Sequence, residues 1–187
     1  VGTFLEEAPI IQTSSGSAPF GQEELVHQLK MISERISTHR AAPELPFRLP
    51  VDRCFTQKGF GTVVTGTSRG TPLTIGDTVQ ILPQNLETRV RDIQCGHSSQ
   101  RETNSGQRVA LNLVGISTED IPRGSVITKP DSIPMTQIID CSYTHLPSSF
   151  ESFSGSRIRM LFGSSEALGK VYLIQDNSPT FIQIRLD

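Results

Sequence analysis

The middle of the chain, residues 45–130, is a succession of short segments in which apolar and polar residues alternate. The alternation is clearest in Phe47–Val51 and in Val109–Leu113. A period of two residues indicates a strand with one buried face. Glycine and proline interrupt the pattern about every ten residues, which is typical of small all-β folds. Because no long helical pattern is available to cover a sheet, we predict a small closed β-barrel here.

The segment before the barrel, residues 1–44, has a mixed pattern. Pro9–Ile11 predicts a short buried strand, and residues 13–17 are turn-forming. Leu25, Leu29, Ile32 and Ile36 are spaced as one face of a helix from Gln22 to Thr38. We therefore predict a strand, a loop and a helix.

The segment after the barrel, residues 131–187, is predicted to be β again. Its strand candidates are Thr136–His145, Arg157–Phe162, Leu168–Gln175 and Thr180–Leu186. Four strands are too few to close a barrel comfortably, so we expect a second, incomplete barrel. The predicted fold class is thus mainly β, preceded by a strand–loop–helix remnant of an α/β domain.

Composition excludes several function classes. The three cysteines, Cys54, Cys95 and Cys141, form no CxxC pair, and the four histidines are scattered. We therefore expect neither a disulfide framework nor a metal site, and a reducing cytoplasm is the predicted location. There is no apolar run of about 18 residues, so we expect no membrane partner.

Charge is distributed unevenly along the chain. The whole sequence has a net charge of −2, but residues 46–130 hold 10 basic and 7 acidic groups, a net charge of +3. The predicted barrel is thus the segment in which a phosphate backbone could be bound.

Three sequence blocks of the predicted barrel resemble a known family. They are FRLPVDRCFTQKGFGTVVTGT (47–67), GQRVALNLVGI (106–116) and EDIPRGSVI (119–127). In this order they resemble the second domain of translational GTPases, which holds the 3′ end of an aminoacyl-tRNA. The variant Val51-Asp52-Arg53, with Gly106-Gln107-Arg108, is similar to the SelB family of selenocysteine-specific elongation factors. Residues 162–173 resemble the third domain of that family.

The resemblance implies a domain plan and partners. Residues 1–44 would be the tail of a GTPase domain, 45–130 the tRNA-binding barrel, and 131–187 a truncated third domain. Thr13, Ser14 and Ser15 would be a remnant of the loop that touches guanine. Since the sequence begins at Val1, we expect a piece of a longer protein that also has a GTPase domain and a C-terminal mRNA-hairpin-binding region. The implied partners are selenocysteinyl-tRNA and the ribosome.

The resemblance assigns the selenocysteinyl group to Asp52, Arg53 and Arg108. A selenol is ionised at neutral pH whereas a cysteine thiol is mostly protonated, so a pocket can select selenocysteine by its negative charge. Arginine suits such a pocket because it is always charged and weakly hydrated. Strand alternation places Asp52 and Arg108 on the barrel exterior. Arg53 reaches the same side only if its strand bulges near Cys54.

The resemblance assigns the terminal adenosine of the tRNA to Gln57, Gly59, Val63 and Gln94. Glycine permits close approach of the backbone, and Val63 offers an apolar wall to the base. Gln94 departs from general elongation factors, which commonly have an acid there.

No GTP-binding motif occurs in this sequence: GxxxxGK[ST], DxxG and NKxD are all absent. We therefore predict no catalytic residue and no cofactor in this chain, while the resemblance implies a parent GTPase that uses GTP and Mg²⁺. Two alternatives stay open. One is another translational GTPase, a general elongation or initiation factor, and the other is a β-barrel interaction module without tRNA binding.

Overall fold

The computed structural model describes residues 6, 8–37, 45–96, 98–143, 154–174 and 181–187. They belong to two compact units, one containing residues 8–37 and the other containing the described residues from 45 onward. The predicted segment ends Thr38, Glu44, His145, Gln175 and Thr180 lie outside the described residues.

The described part of the first unit contains one helix, α1, over Gln22–Ser37. Glu23 and Glu24 lie in its first turn and Arg35 in its last, which suits the helix dipole. The strand predicted at Pro9–Ile11 is wrong: these residues have no strand structure, and Ile10 is 95% exposed. Among the described residues of this unit no sheet pairs with the segment, and a strand needs a partner to satisfy its backbone groups.

In its described residues the second unit contains eleven strands. They are β1 Arg48–Gln57, β2 Gly61–Thr67, β3 Thr78–Leu82, β4 Leu86–Cys95, β5 Ser98–Gln100, β6 Arg108–Leu113, β7 Val126–Thr128, β8 Ile138–Ser142, β9 Arg157–Phe162, β10 Ser165–Leu173 and β11 Phe181–Leu186.

Six of these strands close into a barrel. The antiparallel order is β3-β7-β1-β2-β6-β4, and β4 pairs back to β3, while β5 adds to β4 at the rim. The interior is filled by large apolar residues that the alternation identified, including Leu49, Ile81 and Leu111, all fully buried. The predicted closed barrel and the mainly β fold class are confirmed.

The remaining strands form a four-stranded antiparallel sheet in the order β8-β11-β10-β9. All four strand regions predicted after residue 131 are present. The buried core of this sheet is small and consists, among the described residues, of Val171, Ile182 and Ile184. In the described residues β8 and β9 remain edge strands.

The β9–β10 turn packs against β1 of the barrel. The Ser164 hydroxyl donates a 2.6 Å hydrogen bond to the Val51 carbonyl oxygen, and the Ser165 hydroxyl donates to the Gly124 carbonyl. The Val51 carbonyl also accepts a hydrogen bond from the Gly124 amide at 3.1 Å. The turn therefore supports the barrel at the residue directly before Asp52.

Candidate functional site

Strand β1 contains a bulge at Asp52. Val51 pairs with Gly66 and Arg53 pairs with the next residue back, Thr65, so Asp52 is an extra residue without a cross-strand partner. A bulge interrupts the alternation of side chains by one position. Val51 is buried in the barrel, and Cys54 packs against the same core. Both Asp52 and Arg53 therefore lie on the outer side, which meets the condition predicted for Arg53.

Asp52 and Arg108 form a bidentate ion pair on this outer side. The Arg108 Nη2 atom donates to Asp52 Oδ1 at 3.0 Å, and Nη1 donates to Oδ2. The Thr65 hydroxyl donates to Oδ1 at 2.7 Å, so three hydrogen bonds hold the carboxylate. The Arg108 side chain remains 59% exposed and that of Asp52 27% exposed. These hydrogen bonds orient the Arg108 guanidinium, and its exposure leaves it accessible to a ligand.

The ionised form of Asp52 is stabilised by its neighbours. Its pKa is lowered chiefly by the hydrogen bond from Arg108, helped by Thr65 and by the charge of Arg53, while partial burial opposes the shift. The carboxylate therefore stays negative at neutral pH. Two arginines around one aspartate leave this outer cluster with a net positive charge, as an anion site requires.

A small cavity lies on the same outer face of the barrel. Its lining includes Ala110 and Asn112, which follow Arg108 along β6. Seven residues line it: Gln57, Phe60, Val63, Asp92, Gln94, Ala110 and Asn112. Cross-strand pairing explains their meeting, because Val63 pairs with Asn112, and Asn112 pairs with Asp92 on the next strand. Its volume is about 10 Å³, the room for one water molecule.

The structure brings three of the four predicted adenosine-site residues to this cavity: Gln57, Val63 and Gln94. Gly59 is not among the lining residues. It lies in the β1–β2 turn at φ +84°, a left-handed conformation that glycine adopts without strain. The Gln94 amide donates to Asp92 at 3.2 Å, and Asp92 also accepts from the Ser99 hydroxyl at 2.7 Å.

Sequence reasoning missed Thr65 and Asp92 as members of this face, whereas strand alternation places Asn112 on the outer face with Arg108, although no role was assigned to it. Asp92 is turned outward by a second bulge, since the β4–β6 register shifts between Val90 and Asp92. A signal for this bulge existed in the sequence. The buried residues Val90 and Ile93 are three apart, which a regular strand with a period of two cannot bury on one face.

The predicted guanine-loop residues lie in the first unit, where their role is untested. Ser14 forms a two-way backbone bridge with Phe20, with N–O distances of 3.1 and 3.3 Å, and its carbonyl accepts from the Gln22 side chain. Thr13 and Ser15 are exposed. The loop is thus tied to the start of α1.

Within the ranges described above, no three His, Cys, Asp or Glu side chains converge as metal ligands. No helix in that part of the chain is long and apolar enough to cross a membrane.

Comparison with known proteins gives consistent relatives. No model of a known protein family matches the chain. It is 34% identical over 174 residues to the selenocysteine-specific elongation factor of Desulfomicrobium baculatum, a match that covers 92% of this chain and 27% of the relative. The chain is also 38% identical over 89 residues to elongation factor 1-alpha of Pyrobaculum aerophilum. This shorter match covers 48% of the chain and 20% of that relative.

The structure is similar to a solved structure whose name matches that of the Desulfomicrobium baculatum relative. The crystal structure of a bacterial selenocysteine-specific elongation factor, EF-Sec, matches with a TM-score of 0.72 and 27% identity. That match covers 89% of this chain and 27% of the other. The chain thus spans about a quarter of the length of these relatives.

Proposed function

Because the chain belongs with the selenocysteine-specific elongation factors, to which it is homologous over most of its own length, we propose that it is part of such a factor. The whole factor would bind selenocysteinyl-tRNA and deliver it to the ribosome. This chain would supply the surface that holds the aminoacyl end. The cytoplasm is the proposed location, since the three cysteines are free and the ribosome is the proposed partner.

The observation that supports this proposal most is the outer cluster of Asp52, Arg53 and Arg108. Arg108 is held by its bidentate pair with Asp52, so little conformational freedom is lost when it meets a ligand. Its exposed guanidinium retains donors that the carboxylate does not use. A selenolate arriving here would meet two positive charges, while a neutral serine hydroxyl would gain much less. The Asp52 carboxylate would in addition attract the aminoacyl ammonium group.

The adjacent cavity would take the terminal adenosine. Val63 offers the base an apolar wall, and Gln57 and Gln94 offer amide groups. The volume of about 10 Å³ is too small for a base, so the exposed side chains of Gln57 and Phe60 would have to turn outward. Beside them a side chain at Gly59 or Gly61 would meet nothing within 4 Å, so space is available.

GTP and Mg²⁺ would be bound by parts of the longer factor that this sequence lacks. The phosphate-binding motifs are absent from the chain, and only Thr13–Ser15 would face the nucleotide, at its guanine base. A GTPase domain before the chain and an mRNA-hairpin-binding region after it are parts of the same proposal.

One observation favours a second candidate, a general elongation factor: the match to elongation factor 1-alpha. It covers about half as much of the chain as the match to the selenocysteine-specific relative. A general factor accepts twenty different side chains, and a dedicated anion cluster beside the aminoacyl group would work against that.

The test compares two charged tRNAs. A GTPase domain is joined upstream of Val1 and loaded with GTP, and protection of selenocysteinyl-tRNA and seryl-tRNA from deacylation is measured. We expect preferential protection of the selenocysteinyl form. Arg108→Ala should reduce that preference about tenfold or more, because a hydrogen bond to a charged group contributes about 1.5–3 kcal/mol.

Arg123→Ala is the matched control, since Arg123 is an exposed arginine elsewhere on the barrel. Equal protection of both tRNAs would indicate a general elongation factor. If neither tRNA is protected, a β-barrel interaction module without tRNA binding is favoured.

A further inference from the structure

One buried polar group of the barrel has no partner. Asn112, on β6, is 4% exposed, and its side-chain oxygen, Oδ1, is the sole buried side-chain N or O atom in the described residues that lacks a hydrogen bond. A buried acceptor without a donor destabilises the fold, and native proteins leave few of them. This oxygen therefore needs an explanation.

The orientation of the Asn112 amide follows from its neighbours. Its Nδ2 group donates to the Phe60 carbonyl at 2.6 Å and lies 3.5 Å from the Thr62 carbonyl. Both neighbours are acceptors, so a flipped amide would set oxygen against oxygen. The NH₂ group is thus committed to the backbone of the β1–β2 hairpin, and the oxygen is the group left without a donor.

Asn112 lines the cavity that also contains Asp92 and Gln94. Asp92 already accepts hydrogen bonds from Gln94 and Ser99. Among the described lining residues, the Asn112 oxygen is therefore the buried acceptor that has no donor. A ligand that complements it must present hydrogen-bond donors.

We propose that Asn112 Oδ1 reads the base in this cavity by accepting a hydrogen bond from the exocyclic amine of adenine. The inference rests on the proposed function and names a specificity residue for it. Adenine presents an N–H donor at its position 6, whereas guanine and hypoxanthine present a carbonyl oxygen there, which would face the Asn112 oxygen as a second acceptor. Val63 would contact the face of the ring.

The ligand series uses the chain itself, labelled with ¹⁵N. Adenosine 5′-monophosphate, purine riboside 5′-monophosphate and inosine 5′-monophosphate are titrated while the Asn112 side-chain amide and the Val63 and Ala110 backbone signals are followed. We expect adenosine monophosphate to bind about tenfold more tightly than purine riboside monophosphate, which lacks only the amine. Inosine monophosphate should bind more weakly still.

Asn112→Leu replaces the amide by an apolar group of similar size and should abolish this preference. Thr88→Val is the matched control, since it removes another buried side-chain hydrogen bond to a backbone carbonyl, from Thr88 to Val114, outside the cavity. It should retain the preference. Should Asn112→Leu fail to fold, the ligand series on the unaltered chain still decides.

Two results would overturn the inference, and they are distinguishable. Equal binding of the adenosine and purine riboside compounds would refute the role of Asn112 while leaving an adenosine site. No shift at Val63, Ala110 or Asn112 with any nucleotide would refute the adenosine site as well. The selenocysteinyl-tRNA comparison reports on the anion cluster independently of both.

Discussion

The closed barrel and the four-stranded sheet have similar strands but bury very different cores. Among the described residues, the barrel encloses a cluster of fourteen buried apolar side chains, whereas the sheet buries three. In the sheet, large apolar residues such as Leu161 and Ile138 are 70% and 53% exposed. Closure turns one face of every strand toward a common interior, and an open sheet needs a second layer to do the same. The candidate site therefore lies on the region with the more constrained backbone.

Truncating a core side chain in each region should produce the largest difference. Leu111→Ala in the fully buried barrel core is expected to lower the free energy of unfolding by about 2–5 kcal/mol. Ile184→Ala in the sheet should cost about 2 kcal/mol or less, because an open sheet can collapse around the missing atoms. Urea denaturation measures both. Equal losses would contradict the distinction drawn between the two cores.

A pair of strand glycines tests backbone constraint. A Cβ at Gly66 would collide with the Pro50 carbonyl of the neighbouring barrel strand, and one at Gly169 would collide with the Arg185 carbonyl in the sheet. Gly66→Ala should cost about 1–3 kcal/mol or more, because closure prevents β1 from moving away. Gly169→Ala should fall at or below the low end of that range. Thermal unfolding of the two variants decides, and a larger loss for Gly169→Ala would refute the argument.

Removing one ion pair from each region should change the free energy of unfolding least. For Asp52 the change should also depend on pH. The folded-state pKa of Asp52 lies below its unfolded value of about 3.9, so its contribution is present above that pH. It is lost as the pH falls through the folded-state pKa. Asp52→Asn should thus cost about 1 kcal/mol or less at pH 7 and nothing at a pH well below the folded-state pKa.

The matched variant in the sheet is Glu166→Gln. Glu166 pairs with Arg159 at 3.2 Å, but the two side chains are 52% and 67% exposed, so we expect almost no change. The free energy of unfolding of both variants is measured with denaturant at pH 7 and at a pH well below the folded-state pKa of Asp52. A pH-independent loss in Asp52→Asn would show that its role is packing rather than charge.

Much of the barrel and part of the site could be predicted from the sequence. The period of two identified the buried faces of β1 and β6, and the outward direction of Asp52 and Arg108 followed from it. Pro9–Ile11 shows the limit of such reasoning, because an apolar triplet becomes a strand only where a sheet offers it a partner. The sequence could not supply the burial of Asn112, which depends on the hairpin backbone that folds against it.

The sequence by itself determined which residues alternate, where turns interrupt them, and that a closed barrel is the outcome, because these depend on local periodicity and on glycine and proline. Tertiary structure decided where the strands bulge, and the sequence signalled only the bulge in β4, through the spacing of Val90 and Ile93. The extra residues in β1 and β4 exist only relative to their partners' register, which no single segment contains. The bulge in β1 places Arg53 on the same side of the barrel as Asp52, and the bulge in β4 places Asp92 opposite Asn112. Together they assemble the candidate site.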